Sequence, residues 1–174
     1  TSVVSTSGFF TEDYALWPQF SQMILVLLMF IGACAGSTGG GFKISRLLIL
    51  CKAIPKQLSL VIHPREVKVI RMDGKPIDHN TLRSTNVYLA IYFFILLVST
   101  LLISVDNFNL TTNFTAVAST LNNIGPGLDG VGPTRNFGMY SDFSKFVLMF
   151  DMLAGRLELY PLLILFMPSL WRRK

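Results

Sequence analysis

The stretch IGACAGSTGGGFKISRLLIL, Ile31 to Leu50, interrupts an apolar run that otherwise extends from Phe20 to Cys51. Four glycines lie between Gly36 and Gly41. A helix carried through four interior glycines would forfeit on the order of 2–4 kcal/mol relative to alanine. Met23 to Gly32 supplies helical residues for about 15 Å at 1.5 Å per residue, half of a roughly 30 Å hydrocarbon core. The expectation is a helix broken at mid-membrane by an unwound loop, Gly36-Ser37-Thr38-Gly39-Gly40-Gly41, resuming at Phe42 and ending near Lys52. Backbone outside a helix at membrane depth survives only where it lines water or is covered by protein. The loop therefore marks an aqueous path. A flexible peptide there can obstruct or clear that path with little strain, which makes it a gate candidate.

Two other readings of the glycines are weaker. A phosphate-binding P-loop wants Gly-x-x-x-x-Gly-Lys-Ser/Thr. Gly36 and Gly41 have that spacing, but Phe42 occupies the lysine position and no strand precedes it. A small-residue helix-packing face predicts glycines four apart, whereas Gly39, Gly40 and Gly41 are consecutive.

The surrounding composition supports a membrane setting. The chain has 174 residues, 51% hydrophobic and 14% charged, with a mean hydropathy of +0.52. Soluble domains carry about 25% charged residues. Val87 to Val105 contains no charge and approaches the roughly 20 residues that a span requires. Phe146 to Leu170 is longer but carries Asp151, Arg156 and Glu158. With no initiator Met and no basic leader, Thr1 reads as a cut through a larger protein. Cys34 and Cys51 lack metal or redox spacing and read as space-filling residues.

The net charge of +5 is unevenly spread. Lys43 to Arg83 holds nine Lys or Arg against three Asp or Glu, and Arg172-Arg173-Lys174 closes the chain. The stretches 1–20 and 106–142 hold Arg135 against five acids. Short Lys/Arg-rich loops stay cytoplasmic, so 43–86 and the C-terminus are expected inside and the two acidic stretches outside. This basic region flanks membrane spans and lacks interleaved aromatics, so nucleic acid is not its expected partner.

Two stretches repeat one order of parts. Ser5-Thr6-Ser7-Gly8 is a polar turn followed by an acidic linker, Pro18 and a membrane helix. Later come the span 87–105, a short apolar piece (Phe114 to Leu121), the turn Asn122-Asn123-Ile124-Gly125-Pro126-Gly127, a linker and the helix 143–170. Phe114 to Leu121 is too short to cross and lies between two outward stretches, so it must dip in and return. The expected fold class is an all-α polytopic membrane protein. Its units are outer helix, re-entrant pore loop and inner helix, as in potassium-channel-like pores, with one inner helix broken. Residues 1–52 read as the end of one unit, 53–86 as a cytoplasmic connection and 87–174 as a complete unit. Within the connection, VKVIRMDGKPI alternates and then turns at Asp73-Gly74, a hairpin signal.

A half-helix ending in mid-membrane directs the negative end of its dipole and its last carbonyls at the next turn of the chain. The turn after Leu121 carries no acid or base. Coordination of a cation there falls to backbone carbonyls, with the amide oxygens of Asn122 or Asn123 as further donors. Carbonyl rings that replace a hydration shell are the device of potassium filters. Arg156 sits near the middle of 143–170, where a charge is expensive and expected to face an aqueous path. It either pairs structurally or, below the filter, repels resident cations. Glu158 at two residues and Asp151 at five are poorly placed for a pair on the same helix, so the loop carbonyls of 36–41 are the partners considered.

CAGSTGGGFK, TLNNIGPGLDGVGP and MLAGRLELYPLLILFMPSLWRR closely resemble the C-terminal part of the TrkH-type subunits in the Trk/Ktr/HKT superfamily of potassium transporters. The resemblance runs over essentially the whole chain. It implies four fused units around one pore, this chain holding the end of the third and all of the fourth. Carried over, the filter falls on Ser5, Thr6, Ser7 and Gly8 and on Asn122, Asn123, Ile124 and Gly125. The gating loop falls on Gly36, Ser37, Thr38, Gly39, Gly40 and Gly41, with Arg156 as the pore-facing arginine. The resemblance further implies potassium as the transported ion, no cofactor, an inner (plasma) membrane location, a homodimer and a cytosolic nucleotide-binding regulatory ring docked on the basic 43–83 surface. Half a ring of units encloses no pore, so the fragment alone is expected not to conduct.

Other function classes are weaker. A membrane enzyme using Asp151, Arg156 and Glu158 would want a histidine or metal cluster at depth, and both histidines, His63 and His79, lie in the cytoplasmic loop. A purely structural anchor leaves the two glycine turns unexplained.

Overall fold

The computed structural model describes residues 2–32, 37, 40–63, 70–72 and 75–156. Among the described residues five α-helices carry the fold: α1 (Gln19–Phe30), α2 (Ile44–Ile62), α3 (His79–Ile103), α4 (Leu110–Leu121) and α5 (Asp142–Arg156). Between α2 and α3 lies a minimal hairpin, β1 (Arg71–Met72) and β2 (Lys75–Pro76), paired Arg71 to Pro76 and Met72 to Lys75. The expected turn at Asp73-Gly74 lies outside the described residues.

The broken helix is longer on both sides than expected. α1 begins just after Pro18, whose carbonyl accepts from the Ser21 and Gln22 amides. The Gln22 side chain reaches back to the carbonyls of Ala15 and Trp17, fixing the linker to the first turn. α1 ends at Phe30, before Gly32, because Ile31 is already extended. α2 starts at Ile44, not Phe42, and does not stop near Lys52; it continues through Pro55 to Ile62. An interior proline costs a helix about 3 kcal/mol. Burial offsets this: Ile49 and Ala53 pack with Ile70 and Leu82, and Lys52 Nζ donates to the Arg71 carbonyl at 3.0 Å. Cys51, read as a space filler, is exposed on α2; Cys34 lies outside the described residues.

α3 begins eight residues before the expected Val87, at His79. It is the one helix among the described residues long and apolar enough to cross a membrane, counted as Asn80–Asp106. Tyr88, Tyr92, Leu96, Ser99 and Ile103 are buried at helical spacing. Phe93, Phe94, Leu97 and Leu101 on the other side are exposed and equally apolar. A helix apolar all round suits lipid.

α4 is the centre of the bundle, packed by α1, α3 and α5. It starts at Leu110, earlier than the expected Phe114, and spans about 18 Å. Thr112, Asn113 and every residue from Thr115 to Leu121 are buried. The chain after α4 folds back along it. Leu128 N donates to Thr115 Oγ1 at 3.1 Å, and the hydroxyl of Thr112 donates to Asp129 Oδ2 at 2.9 Å. Tyr140 OH donates to Asn113 Oδ1 at 3.0 Å. Burial beside Asp106 pushes the Tyr140 hydroxyl up to about 12. α5 buries Ser144, Val147, Leu148, Asp151 and Ala154 and exposes Phe143, Phe146, Met149 and Leu153.

Candidate functional site

The two polar turns, more than a hundred residues apart in sequence, abut in space. A β-carbon on Gly8 would stand 2.8 Å from the Ile124 carbonyl oxygen and 3.7 Å from Pro126 Cδ. Behind the junction, Val3, Met29 and Ile124 form a small buried cluster. The acidic linker after the first turn also reaches the linker after the second, since Thr134 Oγ1 donates to Asp13 Oδ2 at 3.1 Å. Beside the junction is a cleft of about 370 Å³, lined by Ser2, Phe9, Glu12, Trp17, Ile124 and Pro126 among others.

Both turns use left-handed backbone. Thr6 and Gly8 have φ of 52° and 72°, and Asn123 and Gly125 have 55° and 107°. Gly125 is exposed, with nothing within 4 Å of an added β-carbon. The φ there, not the space, is what suits glycine. In the first turn the Ser5 hydroxyl donates to Ser7 Oγ at 3.1 Å, and the Ser7 amide donates to the Ser2 carbonyl. In the second, the amides of Asn122, Asn123 and Ile124 bond back to Ala118, Thr120 and Ser119. Of the carbonyls, Ile124's faces Gly8, Asn122's faces Gly40, and Gly125's accepts from the Ser119 hydroxyl at 3.2 Å.

The asparagine amides are structural. Asn122 Oδ1 accepts from Tyr92 OH at 2.9 Å, and its Nδ2 donates to the Ala118 carbonyl at 2.7 Å. Asn123 Nδ2 donates to the Met152 carbonyl on α5 at 3.1 Å. Asn122 thus offers backbone oxygen rather than its amide. Among the described residues no group of three or more His, Cys, Asp or Glu comes together.

The described end of the glycine-rich stretch lies directly against this turn. A β-carbon on Gly40 would stand 2.7 Å from the Asn122 carbonyl oxygen, and one on Gly41 would collide with Asn122 Oδ1. The stretch is tied at its base, Gly32 N donating to Phe42 O at 2.9 Å. Gly36, Thr38 and Gly39 lie outside the described residues; Ser37 is exposed. From the other side, a β-carbon on Gly155 would collide with the Leu121 carbonyl oxygen, so α5 touches the last turn of α4.

Arg156 is exposed at the end of α5. Asp151 is fully buried and accepts from Ser99 Oγ at 2.7 Å, and its Oδ2 finds no hydrogen-bond partner among the described residues. Asp151 and Arg156 are therefore not joined into a catalytic pair; Glu158 lies outside the described residues. Sequence reasoning missed Tyr92, Phe42 and Arg46. Phe42 is ring-packed with Tyr88 and Tyr92, and the Arg46 guanidinium lies 3.9 Å from the Tyr88 ring centre. The available signal was Tyr88 and Tyr92 four apart, one helical turn, in an otherwise aliphatic span.

The chain matches the family model TrkH, a cation transport protein family, over residues 1–173. It is 39% identical over 171 residues to the Trk system potassium uptake protein TrkH of Vibrio parahaemolyticus, covering 98% of this chain and 35% of that protein. Against the protein of that name from Escherichia coli K12 the identity is 38% over the same shares. The chain thus spans about a third of the length of these curated relatives. The crystal structure of the potassium transporter TrkH from V. parahaemolyticus superposes with a TM-score of 0.87 at 39% identity, over 98% of this chain and 36% of that one.

Proposed function

Because the chain belongs to the TrkH family of cation transport proteins, we propose that it forms the third-unit end and the fourth unit of a potassium uptake subunit in the cell's inner membrane. The observation that carries this reading is the meeting of Gly8 with the Ile124 carbonyl. Two neutral, oxygen-bearing turns from different units converge on one point, as a filter built from several units requires.

The chemistry follows from the elements. α4, at about 18 Å, covers little more than half of a roughly 30 Å core and acts as a re-entrant half-helix. Its C-terminal end carries the negative pole of the helix dipole, which favours a cation. Residues Ser5–Gly8 and Asn122–Gly125 supply carbonyl and hydroxyl oxygens in place of water. Neutral donors hold a monovalent ion loosely enough to release it. The glycine-rich loop 36–41 gates the path just below, and what supports this is the seating of Gly40 and Gly41 against Asn122. Arg156 adds a positive barrier to cations beneath the filter. The first two units and the remainder of the third complete the ring, the whole subunit forms a homodimer, and a cytosolic nucleotide-binding ring docks near α2 and the hairpin.

The test is Gly125→Ser in the full-length subunit, with K⁺ and Na⁺ uptake measured side by side. The K⁺/Na⁺ ratio is expected to fall. An unchanged ratio overturns the filter assignment.

A further inference from the structure

Tyr92 is the side chain on which the broken helix, the outer helix and the pore turn converge. Its ring meets Phe30 at the end of α1, with centroids 6.5 Å apart, and Phe42 just before α2 at 6.2 Å. Its hydroxyl donates to Asn122 Oδ1 at 2.9 Å. Tyr92 is 2% exposed and Asn122 1%. A hydroxyl and an amide buried this deeply are held to each other, because either one alone bears the full cost of desolvation.

Asn122 is also the surface on which the glycine loop rests. Gly40 lies against its carbonyl and Gly41 against its side-chain amide. Rotating that amide would change the shape of the seat. Its rotation is fixed at two points, Nδ2 by the Ala118 carbonyl within α4 and Oδ1 by Tyr92 from α3. Phe42, the residue after Gly41, packs against the rings of Tyr88 and Tyr92, and Tyr88 carries the Arg46 guanidinium of α2. The loop end is thus held by a hydrogen bond through Asn122 and by ring packing through Phe42, and Tyr92 takes part in both.

We propose that Tyr92 is a positioning residue for the gate: it latches the glycine-rich loop beneath the filter by fixing the Asn122 amide and holding Phe42. Tyr92 touches no ion. It biases whether Gly40 to Phe42 stay seated against Asn122. The proposal rests on the gate reading of residues 36–41.

The experiment uses the full-length transporter reconstituted alone in vesicles, with K⁺ and Na⁺ flux as the probes. Tyr92→Phe removes one oxygen and keeps the ring. Losing one buried hydrogen bond shifts a two-state equilibrium about threefold to tenfold, so basal K⁺ flux is expected to rise by that factor at an unchanged K⁺/Na⁺ ratio. Phe42→Leu is expected to raise basal flux as well, and the two together less than additively. In a variant lacking Gly39 to Gly41, Tyr92→Phe is expected to add nothing. Unchanged basal flux in Tyr92→Phe, or a rise accompanied by lost selectivity, overturns the latch. An undiminished Tyr92→Phe effect in the loop deletion overturns the gate reading instead. The filter assignment stands or falls separately, on Gly125→Ser.

Discussion

Gly8 and Ile124 are in backbone contact: the carbonyl oxygen of Ile124 lies 2.8 Å from where a β-carbon on Gly8 would stand. No flexible side chain is available there to give way. Gly8→Ala must therefore displace the Ile124 carbonyl or the first turn, and it also places a side chain in left-handed backbone at about 1–2 kcal/mol. The expected outcome in the full-length subunit is a reduced K⁺/Na⁺ uptake ratio with the protein still inserted. Ser7→Ala, whose exposed hydroxyl bonds within its own turn, is expected to reduce it less.

Gly155 seats α5 on the carbonyl of Leu121. Gly155→Ala forces the two helices apart, an overpacking change of about 1–3 kcal/mol. It also strains the bond from Asn123 to the Met152 carbonyl. A lower midpoint of thermal unfolding in detergent is expected, whereas Leu153→Ala on the exposed face should leave stability within about 0.5 kcal/mol of the parent and the midpoint almost unmoved.

Asp151 and Ser99 form a buried polar pair between α3 and α5. Ser99→Ala leaves the carboxyl without its donor and is expected to cost about 1.5–3 kcal/mol. Replacing both groups, Ser99→Ala with Asp151→Leu, removes the buried polar atoms together and should recover most of that loss. A thermal-unfolding double-mutant cycle reads the coupling. Additive losses would mean that the two side chains do not depend on each other.

The junction between the end of α3 and the start of α5 carries its own pH dependence. The Ser141 backbone amide, then the Ser144 and Ser141 hydroxyls, hold the Asp106 carboxyl below the usual carboxylate range. A group lowered in the folded state stabilises above its unfolded value, about 3.9, and that contribution is lost as pH falls through the lowered value. Tyr140, pushed up to about 12 by burial, contributes fully below its unfolded value of about 10 and loses that contribution as pH rises towards 12. Unfolding midpoints of the parent and Asp106→Asn should therefore differ at neutral pH, begin to approach one another below about pH 4 and converge only once pH is below the lowered folded-state value. Those of the parent and Tyr140→Phe should converge at the alkaline end. Parallel curves at either end would contradict the assignment.

The helical order was legible where sequence alone constrains the backbone. The shortness of the apolar piece before Asn122 and the density of glycine after Ile31 foretold α4 and the end of α1, because length and glycine act locally. The far end of α2 was not legible. The basic residues placed its end near Lys52, and only packing against Ile70 and Leu82 from later in the chain keeps the helix going through Pro55. The onset of α3 was hidden for a similar reason, since the apolar run begins only at Val87, after Ser84, Thr85 and Asn86, while the helix itself reaches back to His79. Of the candidate site, both turns could be picked out, but not their contact, which depends on how two distant helices pack. The role of Tyr92 could not be read either, because an apolar span does not reveal which face it turns to α4.

The most direct measurement is the position of the ion. Crystals of the full-length protein grown in K⁺ and exchanged into Rb⁺ would carry an anomalous signal. The expected peak lies within coordinating distance of the Ile124 carbonyl and of the Ser5–Gly8 turn, between the two units. A peak elsewhere along the path, with the two turns bare under saturating Rb⁺, would contradict the account.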